Sequence, residues 1–167
     1  MNWRTIFTLT SMAPLFLAAV LATAIPDIGL AQSSPLIGTW KLNLAKSKYM
    51  GVPPPRSQTL TYVVDGQNLT ATADAVDAQG QPVKTVFMHI YDGKPHPTTG
   101  VAGGIYDASA YTRIDANTIN FVRSKDGRAV QTGWGAVSGD GATYTVTTGG
   151  TGPNGQAMST VAVFEKQ

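Results

Sequence analysis

The sequence predicts an all-β fold, an antiparallel up-and-down β-barrel of about eight or nine strands, and three observations carry that expectation. Turn pairs ending in glycine recur along the chain, at Asp65-Gly66, Asp92-Gly93, Asp126-Gly127, Asp140-Gly141 and Asn154-Gly155. Tight hairpin turns need positive φ, which Gly adopts freely and Asp or Asn tolerates. Runs of Val, Thr, Tyr and Phe with a period of two fill the intervals, the pattern of half-buried strands. No stretch beyond residue 31 shows an apolar stripe of helical period.

Residues 1–31 read as a secretory signal peptide. Arg4 supplies the positive charge, residues 15–24 (LFLAAVLATA) form the apolar core, and Pro26 ends it. Gly29-Leu30-Ala31 offers small residues at the cleavage positions, with Ala22-Thr23-Ala24 as the second choice. An uncleaved anchor over residues 5–25 is the alternative, interrupted by Thr8, Thr10, Ser11 and Pro14. A cut after Ala31 leaves one domain, 32–167, exported to the periplasm or secreted and without stable membrane insertion. The absence of cysteine excludes both a lipid-modified N-terminus and disulfides. Twelve Lys and Arg against ten Asp and Glu leave too little excess charge to steer the chain to nucleic acid.

Period-two reading places strands at about 37–44, 57–65, 68–77, 83–91, 105–114, 118–124, 128–138, 142–148 and 156–166. Most connections are short enough to join only antiparallel neighbours. A meander of that length avoids exposed edges most simply by closing, and eight strands enclose either packed side chains or one small ligand. Residues 44–50 are compatible with one or two helical turns. Two connections are longer. Segment 46–56 (KSKYMGVPPPR) holds three consecutive prolines, and 92–104 (DGKPHPTTGVAGG) mixes prolines with glycines. Both are candidate lids; they precede strands of opposite direction, which allows different ends without settling it.

Gly38-Thr39-Trp40 resembles the Gly-x-Trp opening signature of lipocalins and the wider calycin group. The runs 38–49 (GTWKLNLAKSKY), 91–95 (YDGKP), 113–118 (RIDANT) and 163–167 (VFEKQ) look like exported bacterial lipocalin-like proteins. The resemblance implies a barrel closed at one end by Trp40 and open at the other to a small apolar ligand. It departs from the family in lacking a Thr-Asp-Tyr signature. The resemblance also implies an Arg over the tryptophan, a place that Arg113 or Arg123 would take.

The aromatics are the strongest ligand clue. Tyr62, Phe87, Tyr91, Tyr111, Phe121, Trp134 and Tyr144 occupy mid-strand positions where one face could collect them, and His89 shares its parity with Phe87 and Tyr91. These residues form the candidate ligand-binding set, with a packed aromatic core as the alternative. Small neighbours such as Ala71, Ala73, Gly133 and Gly135 leave room beside the rings.

No metal or cofactor is expected, because His89 and His96 stand seven apart with no Cys or Glu beside them. No nucleophile elbow or phosphate loop occurs. Asp107 is flanked by apolar residues in a predicted strand, so an acid–base barrel using His89 and Asp107 is the enzymatic alternative. An outer-membrane barrel and a purely structural or protein-interacting barrel are the others. The favoured reading is an exported, non-catalytic binding module for a small hydrophobic molecule.

Overall fold

The computed structural model describes residues 34–66 and 68–167, so the expected leader lies outside the described residues. The strands are β1 (Gly38–Leu42), β2 (Lys48–Met50), β3 (Ser57–Asp65), β4 (Asn68–Val76), β5 (Pro82–His89), β6 (His96–Pro97), β7 (Ala108–Arg113), β8 (Thr118–Lys125), β9 (Arg128–Val137), β10 (Thr143–Thr151) and β11 (Ala157–Lys166). They form one antiparallel sheet in the order β5-β4-β3-β1-β11-β10-β9-β8-β7-β6, with β2 also on β11. The full β1–β11 ladder joins the first strand to the last. At the other seam a single bridge closes the circle, Val86 and Thr99 exchanging backbone hydrogen bonds of 3.0 and 3.1 Å. The barrel is therefore nearly closed, with one weak side.

Eleven strands stand where eight or nine were expected, and two short ones make the difference. After β1 the chain leaves the ladder for a 3₁₀ turn, Leu44–Lys46, capped by the Asn43 side chain accepting from Lys46 N. Ser47 Oγ accepts from Val163 N at 3.0 Å, and β2 then returns to β11. One strand is thus interrupted and rejoined. β6 lies inside the proline-rich segment 92–104, where prolines hid it, and adds a full traverse between the two ends. That traverse brings residues 101–103 to the end where Val52 and Pro53 lie, settling a point the sequence left open.

The turn chemistry follows the sequence. In the β8–β9 hairpin Asp126 has φ 48° and Gly127 φ 75°, both positive as a two-residue type I′ turn requires. The pairs at 65–66, 126–127, 140–141 and 154–155 each reverse one strand onto the next, whereas Asp92-Gly93 opens the link to β6.

Strand parity builds the interior. Leu60 and Tyr62 of β3, Leu69, Ala71 and Ala73 of β4, Tyr111 of β7, Ile119 and Phe121 of β8, Tyr144 of β10 and Phe164 of β11 are buried together. On β9 the inward positions carry Gly133 and Gly135, against which the rings of Phe121 and Tyr144 lie. The opposite parity faces solvent with Thr70, Thr72 and Asp74 of β4 and Lys84 of β5, Asp74 pairing Lys84 at 3.2 Å, unlike the apolar outer band of a membrane barrel. Among the described residues no helix is long and apolar enough to cross a membrane.

Candidate functional site

Trp40 stands at one end of the barrel, wholly buried, with Nε1 donating to Leu36 O at 2.7 Å. Residues 34–37 fold across this end, where Ile37 N reaches Ser34 O. The cation over the Trp40 ring is Lys166, at 5.1 Å. That corrects the expectation of Arg113 or Arg123: Arg113 lies over Tyr91 at 4.5 Å and Arg123 over Phe121 and Tyr106 at 4.6 and 4.8 Å. The reason is position, since β11 is the ladder neighbour of β1 and carries Lys166 opposite Trp40.

Above this floor the interior opens in two chambers. An inner one of about 200 Å³ is lined by Tyr62, Phe87, His89, Tyr111, Phe121 and Tyr144, among others. An outer one of about 590 Å³ is lined by Val52, Pro53, Val101, Ile105, Pro153 and Met158, among others. Gln58, Ala73, Thr85, Tyr106, Arg123, Thr148 and Thr160 border both, so they form the neck between them. The outer chamber has the size of ordinary small-molecule sites. Its rim comes from both long segments and from the β10–β11 turn. Gln156 ties that turn to the proline segment by donating to Gly51 O at 2.8 Å.

The rings of the inner chamber form a connected belt. Tyr62 meets His89 edge-on at 5.3 Å and Tyr144 at 6.1 Å. His89 stacks on Tyr111 at 4.0 Å, and Tyr111 contacts Phe121 at 6.2 Å. Each such pair contributes about 0.5–1.5 kcal/mol beyond area burial. Burial holds the phenols of Tyr62 and Tyr111 well above their usual range and pushes Tyr144 up to about 12, so all three stay protonated at neutral pH.

His89 is 2% exposed. Burial, followed by the charges of Arg123 and Arg113, lowers its pKa from 6.5 to about 3, so the imidazole is neutral across the physiological range. Nδ1 has a long 3.5 Å contact with the Tyr91 hydroxyl, and Nε2 is buried without a hydrogen-bond partner.

Of the expected ligand-binding residues, six line the inner chamber together: Tyr62, Phe87, His89, Tyr111, Phe121 and Tyr144. Trp134 does not. It is 42% exposed on the outer face, because the inward parity of β9 belongs to its neighbours Gly133 and Gly135. Tyr91 is also displaced from the cavity: it follows the end of β5 and packs behind His89, with Arg113 over its ring.

Nor does the fold assemble the acid–base pair. Asp107 precedes β7 at the open end, accepting from Asp126 N at 3.1 Å and pairing Lys125 at 3.4 Å. His89 stacks on Tyr111, four residues farther along, about 13 Å at the usual strand rise. His96 pairs Asp92 at 3.0 Å in a partly exposed contact. Among the described residues no group of three or more His, Cys, Asp or Glu converges to hold a metal ion.

Arg123, Tyr106 and Gln58 at the neck were not among the expected ligand-binding residues. For Arg123 the signal was present: Ile119, Phe121 and Arg123 share one parity of β8, so a guanidinium follows two core residues inward. A register shift between Arg123 and Ser124 then turns the strand end, as bulges do.

No protein-family model matches the chain, and no curated protein matches it either. Among solved structures, it is similar to the zebrafish ileal bile acid-binding protein complexed with cholic acid, with 15% sequence identity and a TM-score of 0.49 over 80% of this chain and 100% of that one. At that level of likeness the barrel assignment rests on the strand ladders described above.

Proposed function

We propose that this chain is a small-molecule binding module that holds a largely apolar ligand inside the barrel. The observation that carries this reading is the continuous two-chamber cavity, aromatic within, apolar at its mouth and closed below by Trp40. Sites of this kind combine an apolar wall with a few placed polar groups, here His89, Arg123 and the tyrosine hydroxyls. The absence of an assembled His89–Asp107 pair favours binding over acid–base chemistry.

The test is titration with the neutral fluorophore N-phenyl-1-naphthylamine. The folded protein is expected to raise and blue-shift its emission, and Ala73→Phe, which fills the neck, to abolish the response while the sheet signal in circular dichroism persists. Absence of enhancement with the folded wild type would refute the reading.

The leader-like residues 1–31 support export to the periplasm or medium as part of the same proposal. Mass measurement of the protein recovered from those fractions should show a start at Gln32, or at Ile25 for the second cleavage choice. Retention of the full-length chain in the cytoplasm would count against export.

A further inference from the structure

On five strands the inward-facing series changes character at the neck. Leu60 gives way to Gln58 on β3, Phe87 to Thr85 on β5, Phe121 to Arg123 on β8, Val146 to Thr148 on β10 and Ala162 to Thr160 on β11. All five polar residues border both chambers. The change is one residue thick, because the next inward positions are Val83 on β5 and Met158 on β11, which line the outer chamber. Nor is it the wet edge of the barrel: Thr148 is 3% exposed. The β10–β11 ladder sets Thr148 directly opposite Thr160, so two hydroxyls stand side by side at this level.

Polar groups inside an apolar tube are costly unless something hydrogen-bonds to them. The fold occupies part of this girdle itself. Arg123, its one charge, donates through NH1 to Gln131 Oε1 at 3.1 Å and lies against the rings of Phe121 and Tyr106, with Nε sealed from both chambers. Thr85 Oγ1 donates to Gly100 O at 3.1 Å. Gln58, Thr148 and Thr160 bring a carboxamide and two hydroxyls, which both donate and accept without charge. The girdle therefore meets a guest with neutral hydrogen-bonding groups, between two apolar compartments. Those compartments differ in size. An apolar cavity of about 150 Å³ takes one benzene, so the inner chamber, about 200 Å³ and walled by rings, has room for a single aromatic ring. The outer one, about 590 Å³, takes a larger group.

We propose that the ligand is a neutral two-lobed molecule with a polar waist. One aromatic ring fills the inner chamber, a carbonyl-centred group of the amide or ester kind sits at the girdle of Gln58, Thr148 and Thr160, and the larger apolar portion fills the outer chamber. This inference rests on the binding reading above and names the ligand class that the reading leaves open. The order of the lobes follows from the chamber sizes, and the neutrality of the waist from the groups that meet it.

The experiment compares N-butylbenzamide with hexylbenzene as competitors for N-phenyl-1-naphthylamine on the wild-type protein. Each is a benzene ring bearing a chain of six heavy atoms in line, and only the first carries an amide next to the ring. In a cavity apolar throughout, an unpaired amide would leave N-butylbenzamide weaker by at least about 30-fold. With the girdle meeting it, N-butylbenzamide is expected to compete within about tenfold of hexylbenzene. A hydrocarbon preference beyond that limit overturns the inference, leaves the binding reading intact and needs no variant to fold. Thr148→Val and Thr160→Val together keep the shape and remove both hydroxyls, and should shift the ratio towards hexylbenzene by about 5- to 100-fold. A ratio that does not move in the folded double variant overturns the inference as well. Failure of the fluorophore itself to bind would instead remove the reading on which it rests.

Discussion

Replacing His89 with Phe should make the protein less sensitive to mild acid, an effect opposite to most core substitutions. His89 is 2% exposed and its pKa falls from 6.5 to about 3, chiefly through burial. Between those values the unfolded chain binds a proton that the native imidazole refuses. Stability contributed by the neutral ring is therefore complete above the unfolded pKa and declines as pH falls towards 3. Worked through the linkage relation, the wild type loses about 2 kcal/mol between pH 7 and pH 5 from this residue alone. Asp92, Asp107, Asp115, Asp140 and Glu165, held low by hydrogen bonds at the surface, add their own acid sensitivity. They do so in both proteins and cancel in the comparison. Phe fits among the rings of Tyr62, Phe87 and Tyr111 and gives up only the long contact to Tyr91. The assay is urea unfolding at a series of pH values. The stability difference between variant and wild type should move by about 2 kcal/mol in favour of the variant on going from pH 7 to pH 5. A difference constant with pH would show that His89 protonates as readily in the native barrel as in the unfolded chain, and the account of its burial would be wrong.

Other substitutions probe the framework. Gly135→Ala places a methyl against the buried Tyr144 ring and should cost about 1–3 kcal/mol in urea unfolding, with a similar loss for Gly133→Ala against Phe121 and Thr147 O. Gly100 has φ 74° and leaves no room for a Cβ beside Lys84 O. Gly100→Ala should therefore open the weak seam, with faster amide exchange at Val86 and Thr99 and unchanged protection in the β3–β4 hairpin. In protein starting at Gln32, and so without Trp3, acrylamide should quench Trp134 readily and Trp40 hardly at all, so the emission of Trp134→Phe should be markedly less quenchable than that of Trp40→Phe. Truncating Trp40 to Ala should cost about 3–5 kcal/mol, because it empties the barrel floor.

Much of the barrel is legible along the chain because its information is local. Asp126-Gly127 dictates a two-residue reversal wherever it stands, and alternation along β3, β4 and β8 marks an inward face before any partner strand is known. The same alternation, followed through Gly133, Trp134 and Gly135, would have sent Trp134 outward, and through Ile119, Phe121 and Arg123 would have sent a charge inward. Residue type outweighed parity at Trp134, where an aromatic was expected inside, and Arg123 was expected over Trp40 rather than beside the cavity. β6 was hidden for another reason. His96-Pro97 has almost no intrinsic strand character and pairs only because β7 lies beside it.

By itself the sequence determined the nine long strands, their antiparallel succession and most of the aromatic parity of the interior, since these depend on backbone dihedrals and on side chains one or two residues apart. Only the tertiary structure decided which cation covers Trp40, that both long segments meet at one mouth, and that His89 and Arg123 share a cavity with unpartnered nitrogens. Those outcomes depend on which strands become neighbours when the sheet closes, and closure brings together residues that no local rule relates.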